Sequence, residues 1–342
     1  MGQYPLDTLN SAPKIRTNAI RQALSEIADV TFITGTRHSR RPLIWRLLQE
    51  LNYLHFDCVY LEAATSTSME LDWLLLKRLQ DKGVPIGIFI RDAYQLFGQS
   101  PTRTPKEKLL YAGWFLSQWV YRKTASTLFF PSRSLAAYFP FPHQVALPPA
   151  GRPALWRTNM HQNPRWILYA GNLDDESGWP LLKEAMQYLV CRYPDVRLLA
   201  VSPTTLKDVP AWLILRPGTL SDMREQLTDV ACAVIPRPTT PYNHLAMPVK
   251  LMDYMSLGLP VVATPCYETS QFVSAESIGL IAEPRTETFA QAIARMLNEP
   301  VLRQHIIQHG FEALHKRHTW HHRAERILDS LLPQTRVSRR QG

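Results

Sequence analysis

The stretch PVKLMDYMSLGLPVVATP (248–265) carries residue types at a spacing that could hold a phosphorylated ligand. Pro248 suits the first turn of a helix, where its missing N–H costs little. Lys250 then falls in that first turn, whose unpaired N–H groups and positive dipole end favour an anion, and an ammonium beside them completes a phosphate site. Asp253 lies three residues on, on the same helix face. Its carboxylate can accept hydrogen bonds from vicinal hydroxyls, as a ribose presents them. Gly258 and Pro260 stop the helix and VVAT returns as a strand. Spacing alone fits an ordinary surface i,i+3 pair between Lys250 and Asp253 equally well.

Other chemistry-bearing residues sit at the ends of apolar runs. Asp92 closes PIGIFIRD (85–92), where a carboxylate at a strand tip could take the proton of an attacking hydroxyl. Pairing with Arg91, or capping of the next turn, is the competing reading. Arg237, Tyr242 and Asn243 lie in the proline-rich loop just before the opening motif, placed either to touch a phosphate or sugar or simply to shape that loop. Eleven histidines include two i,i+4 pairs, His305 with His309 and His318 with His322, but no nearby carboxylate pattern in the sequence completes a ligand set, and HKRHTWHH is itself cationic. A solvated helix face is the expectation there, with no metal site. No Asp-x-Asp pair of the kind that holds a divalent ion under a diphosphate occurs.

The elements that must position these residues alternate. VTFITG (30–35), DCVYLEA (57–63), PIGIFIRD and TLFFPS (127–132) read as strands separated by helix-length segments, and near-continuous apolar strands imply a parallel sheet covered on both faces. Periodicity stops at 139–165, a proline-rich stretch expected to link two domains. It restarts with RWILYAGN, VRLLAVSP, AWLILRPG, ACAVIP and LPVVATP, again separated by helices such as SDMREQLTDV, and turns purely helical from about residue 287. A chain of 342 residues is long for one domain, so two doubly wound domains facing one cleft are expected. Only MGQY precedes the first helical stretch, so the customary opening strand is either vestigial or begins before the first residue.

Composition narrows the class. With 45% hydrophobic and 20% charged residues the chain reads as a folded globular protein. It shows neither a signal peptide nor an apolar run long enough to span a bilayer. A cytoplasmic location follows, and Cys58, Cys191, Cys232 and Cys266 read as reduced core residues. The net charge of +9 gathers partly in Arg37, Arg40, Arg41 and Arg46 and in the tail, without a nucleic-acid-binding module. EKLLYAGWFLSQWVYRKT sets aromatic and aliphatic residues between cationic ends. It reads either as a core helix or as one lying in a membrane interface.

The motif MPVKLMDYMSLGLPVVATP resembles the nucleotide-sugar signature of GT-B glycosyltransferases, particularly the family-4-like (group 1) enzymes of surface polysaccharide synthesis. WILYAGNLDDESGW resembles the strand that opens their donor domain, LTDVACAVIPRP the strand before the signature, and HTWHHRAERIL the helix that crosses back. That resemblance implies two facing Rossmann-like domains: residues 1–150 on the acceptor side, 151–315 for the donor, a crossing helix at 316–333 and a basic tail at 334–342. It implies Lys250 on the diphosphate and Asp253, where the family carries glutamate, on the ribose. Gly171 and Asn172, then Arg237, Tyr242, Asn243 and Val249, complete the expected donor set, with Asp92 as the catalytic base.

The function implied is transfer of a sugar, as a hexosyltransferase does, from a nucleoside diphosphate sugar to a hydroxyl of a glycan or lipid-linked glycan. No cofactor or metal is expected, no nucleic-acid partner, and a peripheral contact at the inner face of the cytoplasmic membrane is the companion expectation. A catalytically degenerate scaffold or partner protein of the same fold, and a nucleotide-sugar epimerase, are the alternatives.

Overall fold

The computed structural model describes residues 1–9, 11–64, 70–97, 104–152, 163–218, 220 and 226–332. The basic tail and part of the 139–165 stretch lie outside the described residues, as does the start of the segment SDMREQLTDV, whose end is a short 3-10 turn at Gln226–Asp229. The chain divides into two compact units, Met1–Pro149 together with the chain from Trp320 onward, and Ala150–Thr319.

The first unit has the parallel sheet order β1 (Val59–Glu62), β2 (Ile86–Phe89), β3 (Thr127–Phe130), β4 (Gln144–Ala146). Its helices are α1 (Ala12–Ser25), α2 (Arg37–Glu50), α3 (Glu70–Asp81), α4 (Pro105–Thr124) and the one-turn α5 (Arg133–Ala136). β4 falls inside the stretch read as pure linker. Its edge is claimed by β3, with Leu128 N donating to His143 O at 3.0 Å and Leu147 N to Phe130 O at 2.6 Å.

VTFITG is not a strand. Only Thr34 forms a bridge, to Gly2, which also bridges Glu62. Gly2 N donates to Ile33 O at 2.8 Å, Glu62 N to Met1 O at 2.9 Å, and the Met1 ammonium to Tyr60 O at 2.6 Å. Met1–Gln3 thus occupies the place of an opening strand but reaches only one rung on each side. A ladder needs successive partners, so 30–33 stays irregular. Beside Met1 lies an apolar cavity of about 150 Å³, lined in part by Leu24, Val30, Leu47, Val59 and Leu75.

The second unit is a six-stranded parallel sheet made of β5 (Trp166–Ala170), β6 (Arg197–Val201), β7 (Leu213–Arg216), β8 (Val230–Ile235), β9 (Val261–Ala263) and β10 (Gly279–Ile281). Their spatial order is β10-β9-β8-β5-β6-β7. All six residues of β8 are buried, as an apolar run covered on both faces requires. One face packs on α6 (Trp179–Arg192) and α10 (Thr286–Asn298) through Leu182, Met186, Phe289 and Ile293. The other packs on α8 (Val249–Ser256), α9 (Tyr267–Ala275) and α11 (Pro300–Arg317) through Leu251, Met255, Val273 and Leu314. A short α7 (Pro241–Leu245) precedes α8. Strand β10 escaped the sequence reading because only three residues pair, Gly279, Leu280 and Ile281, all of them half-buried.

After Thr319 the chain returns to the first unit as α12 (Trp320–Leu331), packed on α1 and β2. Arg323 fixes it by donating to Pro148 O at 2.9 Å and Pro149 O at 3.1 Å. Of the cysteines, Cys232 and Cys266 are buried, but Cys58 is half-buried and Cys191 exposed, so only two are core residues; all four are free thiols.

Candidate functional site

The site is assembled at the carboxyl ends of β5 and β8. Strand β5 ends in a turn at Gly171, whose φ of +140° strains any other residue and whose missing Cβ leaves room for Lys250 Nζ, which a Cβ there would meet at 2.9 Å. Helix α8 is tied to this strand end by its own Tyr254, whose hydroxyl oxygen accepts from Ala170 N at 2.9 Å. Lys250 is one turn earlier on the same face, so that bond aims its ammonium at the turn. Nζ stands 4.6 Å from the centroid of the Tyr169 ring. The Tyr169 hydroxyl in turn donates to Asn172 O at 2.6 Å and holds the turn shut.

The second cation arrives from β8. The turn at Pro236–Arg237 is clamped by Thr264 Oγ1, which donates to Arg237 O, and by Cys266 Sγ, 3.6 Å from Pro238 O. The 171–178 loop closes against it: Gly178 has φ +86°, and a Cβ there would sit 1.8 Å from Pro236 O. Two half-buried cations, Lys250 and Arg237, therefore share a small space beside Asp174.

The electrostatics follow from this crowding. Burial first, then repulsion from Arg237, lowers the Lys250 pKa to about 7, and Asp174 offsets only part of that. Asp174 is held below its ordinary value chiefly by hydrogen bonding from Ser177, whose N–H lies 2.8 Å from Oδ1, with Lys250 a lesser cause. Asp253 behaves oppositely. Surrounding protein pushes its carboxyl up to about 6, opposed by Arg152. Its side chain is exposed at one edge, which makes Asp253 a rim residue that a ligand can reach.

The spacing-only alternative of a Lys250–Asp253 surface pair does not occur. No ion pair between them is present, and the charges acting on each are different, Arg237 and Asp174 on one and Arg152 on the other. Pro248 is the N-cap of α8 rather than a first-turn residue, and no side chain caps the helix. Its first turn, Val249 and Lys250 included, opens toward the same end as the cations.

Gly171, Asn172, Arg237 and Lys250 are brought together, with Val249 adjoining and Asp253 at the rim. Tyr242 and Asn243 lie on α7. Asn243 is committed to the loop itself: its amide donates to Pro238 O at 2.9 Å and its N–H to Thr240 Oγ1 at 3.2 Å. Asp92 follows β2 in the first unit. Its neighbour Arg91 pairs with Glu62 at 3.3 Å and with the Tyr4 hydroxyl at 2.9 Å. Four contributors escaped the sequence reading, namely Tyr169, Asp174, Tyr254 and Arg152. The first three stand inside the quoted motifs, and the i+4 spacing of Tyr254 from Lys250 was the usable signal.

Residues 164–299 match the family model described as Glycosyl transferases group 1. They span the turn at Gly171, Arg237, Lys250 and Asp253. Residues 164–299 form a group 1 glycosyltransferase domain. The solved structures similar to the whole chain include WaaG, a glycosyltransferase involved in lipopolysaccharide biosynthesis, at 12% identity and TM-score 0.63, covering 97% of this chain and 98% of that one. TarM gives 12% identity and TM-score 0.60 over 84% of this chain and 57% of its own. Sucrose-phosphate synthase from Thermosynechococcus elongatus gives 14% identity and TM-score 0.58 over 88% and 79%. No curated protein sequence matches significantly. The fold of the chain is GT-B, built from two Rossmann-like domains.

Proposed function

We propose that this glycosyltransferase takes its sugar from a nucleoside diphosphate sugar bound on the second unit and passes it to a hydroxyl of a glycan or lipid-linked glycan. The observation that carries the reading is the convergence of Lys250 and Arg237 on the glycine turn at the uncapped start of α8. A lysine whose pKa is lowered first by burial and then by Arg237 invites a dianion, and a diphosphate bridging both cations would restore its proton. Asp253 takes the ribose hydroxyls, with Arg152 keeping it ionised. Catalysis rests on stabilising the departing diphosphate with charges already in place.

Asp92 is assigned the acceptor hydroxyl's proton. A surface-glycan acceptor draws support from WaaG, whose description names lipopolysaccharide biosynthesis. The charge of the diphosphate is met by side chains and helix N–H groups, so activity in the presence of a chelator belongs to the reading. Transfer takes place in the cytoplasm, at the inner face of the membrane when the acceptor is lipid-linked.

The test is to incubate the protein with labelled UDP-, GDP- and ADP-hexoses, with and without glycan and glycolipid acceptors. Release of nucleoside diphosphate that rises with one acceptor class supports transfer. Conversion of the nucleotide sugar into an isomer without release would instead make the protein an epimerase. Inertness toward every donor and acceptor would point to a scaffold. Asp92→Asn should lower kcat at least tenfold with donor affinity unchanged.

A further inference from the structure

Arg152 combines a fixed backbone with an uncommitted side chain. The side chain is exposed, and among the described residues its guanidinium makes no hydrogen bond or ion pair. Its backbone N donates to Ser256 Oγ at 3.0 Å, and Ser256 Oγ donates onward to Met252 O at 2.7 Å. The preceding Gly151 is held as well, donating to His318 O at 2.8 Å and bridging Thr319. A Cβ on Gly151 would stand 2.4 Å from Ser256 Oγ and 3.0 Å from Met252 O, so glycine lets this segment lie directly against the end of α8. All of these residues belong to the second unit.

Ser256 is three residues beyond Asp253 and shares its side of the helix. Tying Arg152 to Ser256 therefore brings a cation alongside Asp253, and Arg152 is the charge that opposes the rise of that carboxyl. The Asp253 carboxylate is also exposed and, among the described residues, has no hydrogen bond or ion pair. Elsewhere on the surface neighbouring opposite charges close on each other, as Arg295 and Glu299 do at 2.8 Å. Arg152 and Asp253 stay open.

A carboxylate only accepts hydrogen bonds and a guanidinium only donates them, so a group set between the two must do both. Vicinal hydroxyls meet that requirement, each giving its hydrogen to one side and offering oxygen lone pairs to the other. The pair has no net charge and does not select an anion, unlike Lys250 with Arg237.

We propose that Arg152 is a specificity-determining residue of the donor site, donating to the oxygens of the ribose hydroxyls whose hydrogens Asp253 accepts, with Ser256 as the positioning residue that holds it there. The proposal rests on the reading of Lys250 and Asp253 as the nucleotide-sugar site. A clasp with both a donor and an acceptor side reads the second hydroxyl, because a ligand lacking it leaves the guanidinium without a partner.

The experiment is calorimetric titration of wild type, Arg152→Ala and Ser256→Ala with UDP, GDP and ADP, with their 2′-deoxy counterparts, and with inorganic pyrophosphate. Wild type should prefer a ribonucleotide over its 2′-deoxy form by about tenfold or more, the scale of a hydrogen bond to a charged group. Arg152→Ala should cut that preference to about threefold or less, and Ser256→Ala should move it the same way by a smaller factor. Pyrophosphate affinity should stay within about twofold of wild type in both variants, since an exposed charge at the ribose end is screened from the diphosphate. Arg152→Lys, which keeps the charge but loses the planar fork, should resemble Arg152→Ala more than wild type. An unchanged ribose preference in Arg152→Ala would overturn the proposal and leave the donor site standing. Equal losses for ribonucleotide, 2′-deoxynucleotide and pyrophosphate would do the same, making Arg152 a general cation. A folded wild type that binds no nucleotide would overturn the donor reading and this proposal with it.

Discussion

The two units solve the same packing problem and leave different things outside. In the second, the large apolar side chains are almost wholly interior, the exposed exceptions described being Tyr188, Val209, Tyr267 and Val301. What it leaves partly out is charge: Lys250, Arg237, Asp174 and Asp253 at strand and helix ends. The first unit does the reverse. It buries charge, with Arg16 3.0 Å from Glu62 and Arg40 against Asp72, and exposes Leu43, Trp45, Leu109, Leu116 and Trp119. A buried ion pair is costly to assemble, and an exposed apolar stripe is costly to hydrate. Neither cost serves folding. The contrast teaches that one unit keeps its uncompensated groups as charge at strand ends, and the other as apolar side chains on its helices.

Substitutions at the two sites can break that contrast, and the strongest effect is expected at Gly171. Gly171→Leu places a side chain where Lys250 Nζ now lies, at a φ that side chains rarely adopt. Donor affinity should fall about a hundredfold, roughly 2.7 kcal/mol, with the fold weakened by about 1–3 kcal/mol for the backbone strain. Titration of a nucleotide sugar alongside thermal unfolding reads both. Unchanged affinity would mean the turn is scaffolding only.

Next comes pH. A nucleotide sugar's diphosphate does not titrate in this range, so the protein sets the profile. Above about 7 the free Lys250 is losing its proton and must regain one on binding. Below about 6 Asp253 is protonated and stops accepting from hydroxyls. Affinity should therefore peak between about 6 and 7 and fall on either side by up to about tenfold per pH unit. Lys250→Ala should flatten the alkaline limb and Asp253→Asn the acid one.

A smaller effect separates function from folding. Because the folded-state pKa of Lys250 lies below its ordinary value, the folded protein disfavours the charged form. The cost is full below about pH 7 and vanishes well above it. Lys250→Met should thus stabilise the protein by about 1 kcal/mol at pH 6, after allowing for solvent screening, and by less as pH rises. Smallest of all, Trp119→Glu should leave nucleotide affinity within about 0.5 kcal/mol of wild type, since it lies on the other unit's surface.

The sequence made the second unit readable because its signals are local. Five of its six strands are continuous apolar runs, and Lys250 and Asp253 sit on a helix bounded by Pro248, Gly258 and Pro260. What stayed hidden there depended on contacts between distant segments, such as Gly178 against Pro236 or Arg152 beside Asp253. The first unit was less readable. VTFITG has strand composition, but strand identity is conferred by neighbours, and Met1–Gln3 supplies only one rung. The α4 segment is core on one side, where Trp114 and Tyr121 are buried, and surface on the other, where Leu116 and Trp119 are exposed. Aromatic content could not sort them, whereas phase along the helix can.

The most direct test of the donor site is calorimetric titration of the purified chain with UDP, GDP and ADP, alongside the Lys250→Ala protein. Micromolar binding of one nucleotide, weakened in the variant by about 1.5–3 kcal/mol as expected for a lost hydrogen bond to a charged group, is the predicted result. Equal binding by wild type and variant, or no binding of any nucleotide to a folded wild-type protein, would contradict the assignment.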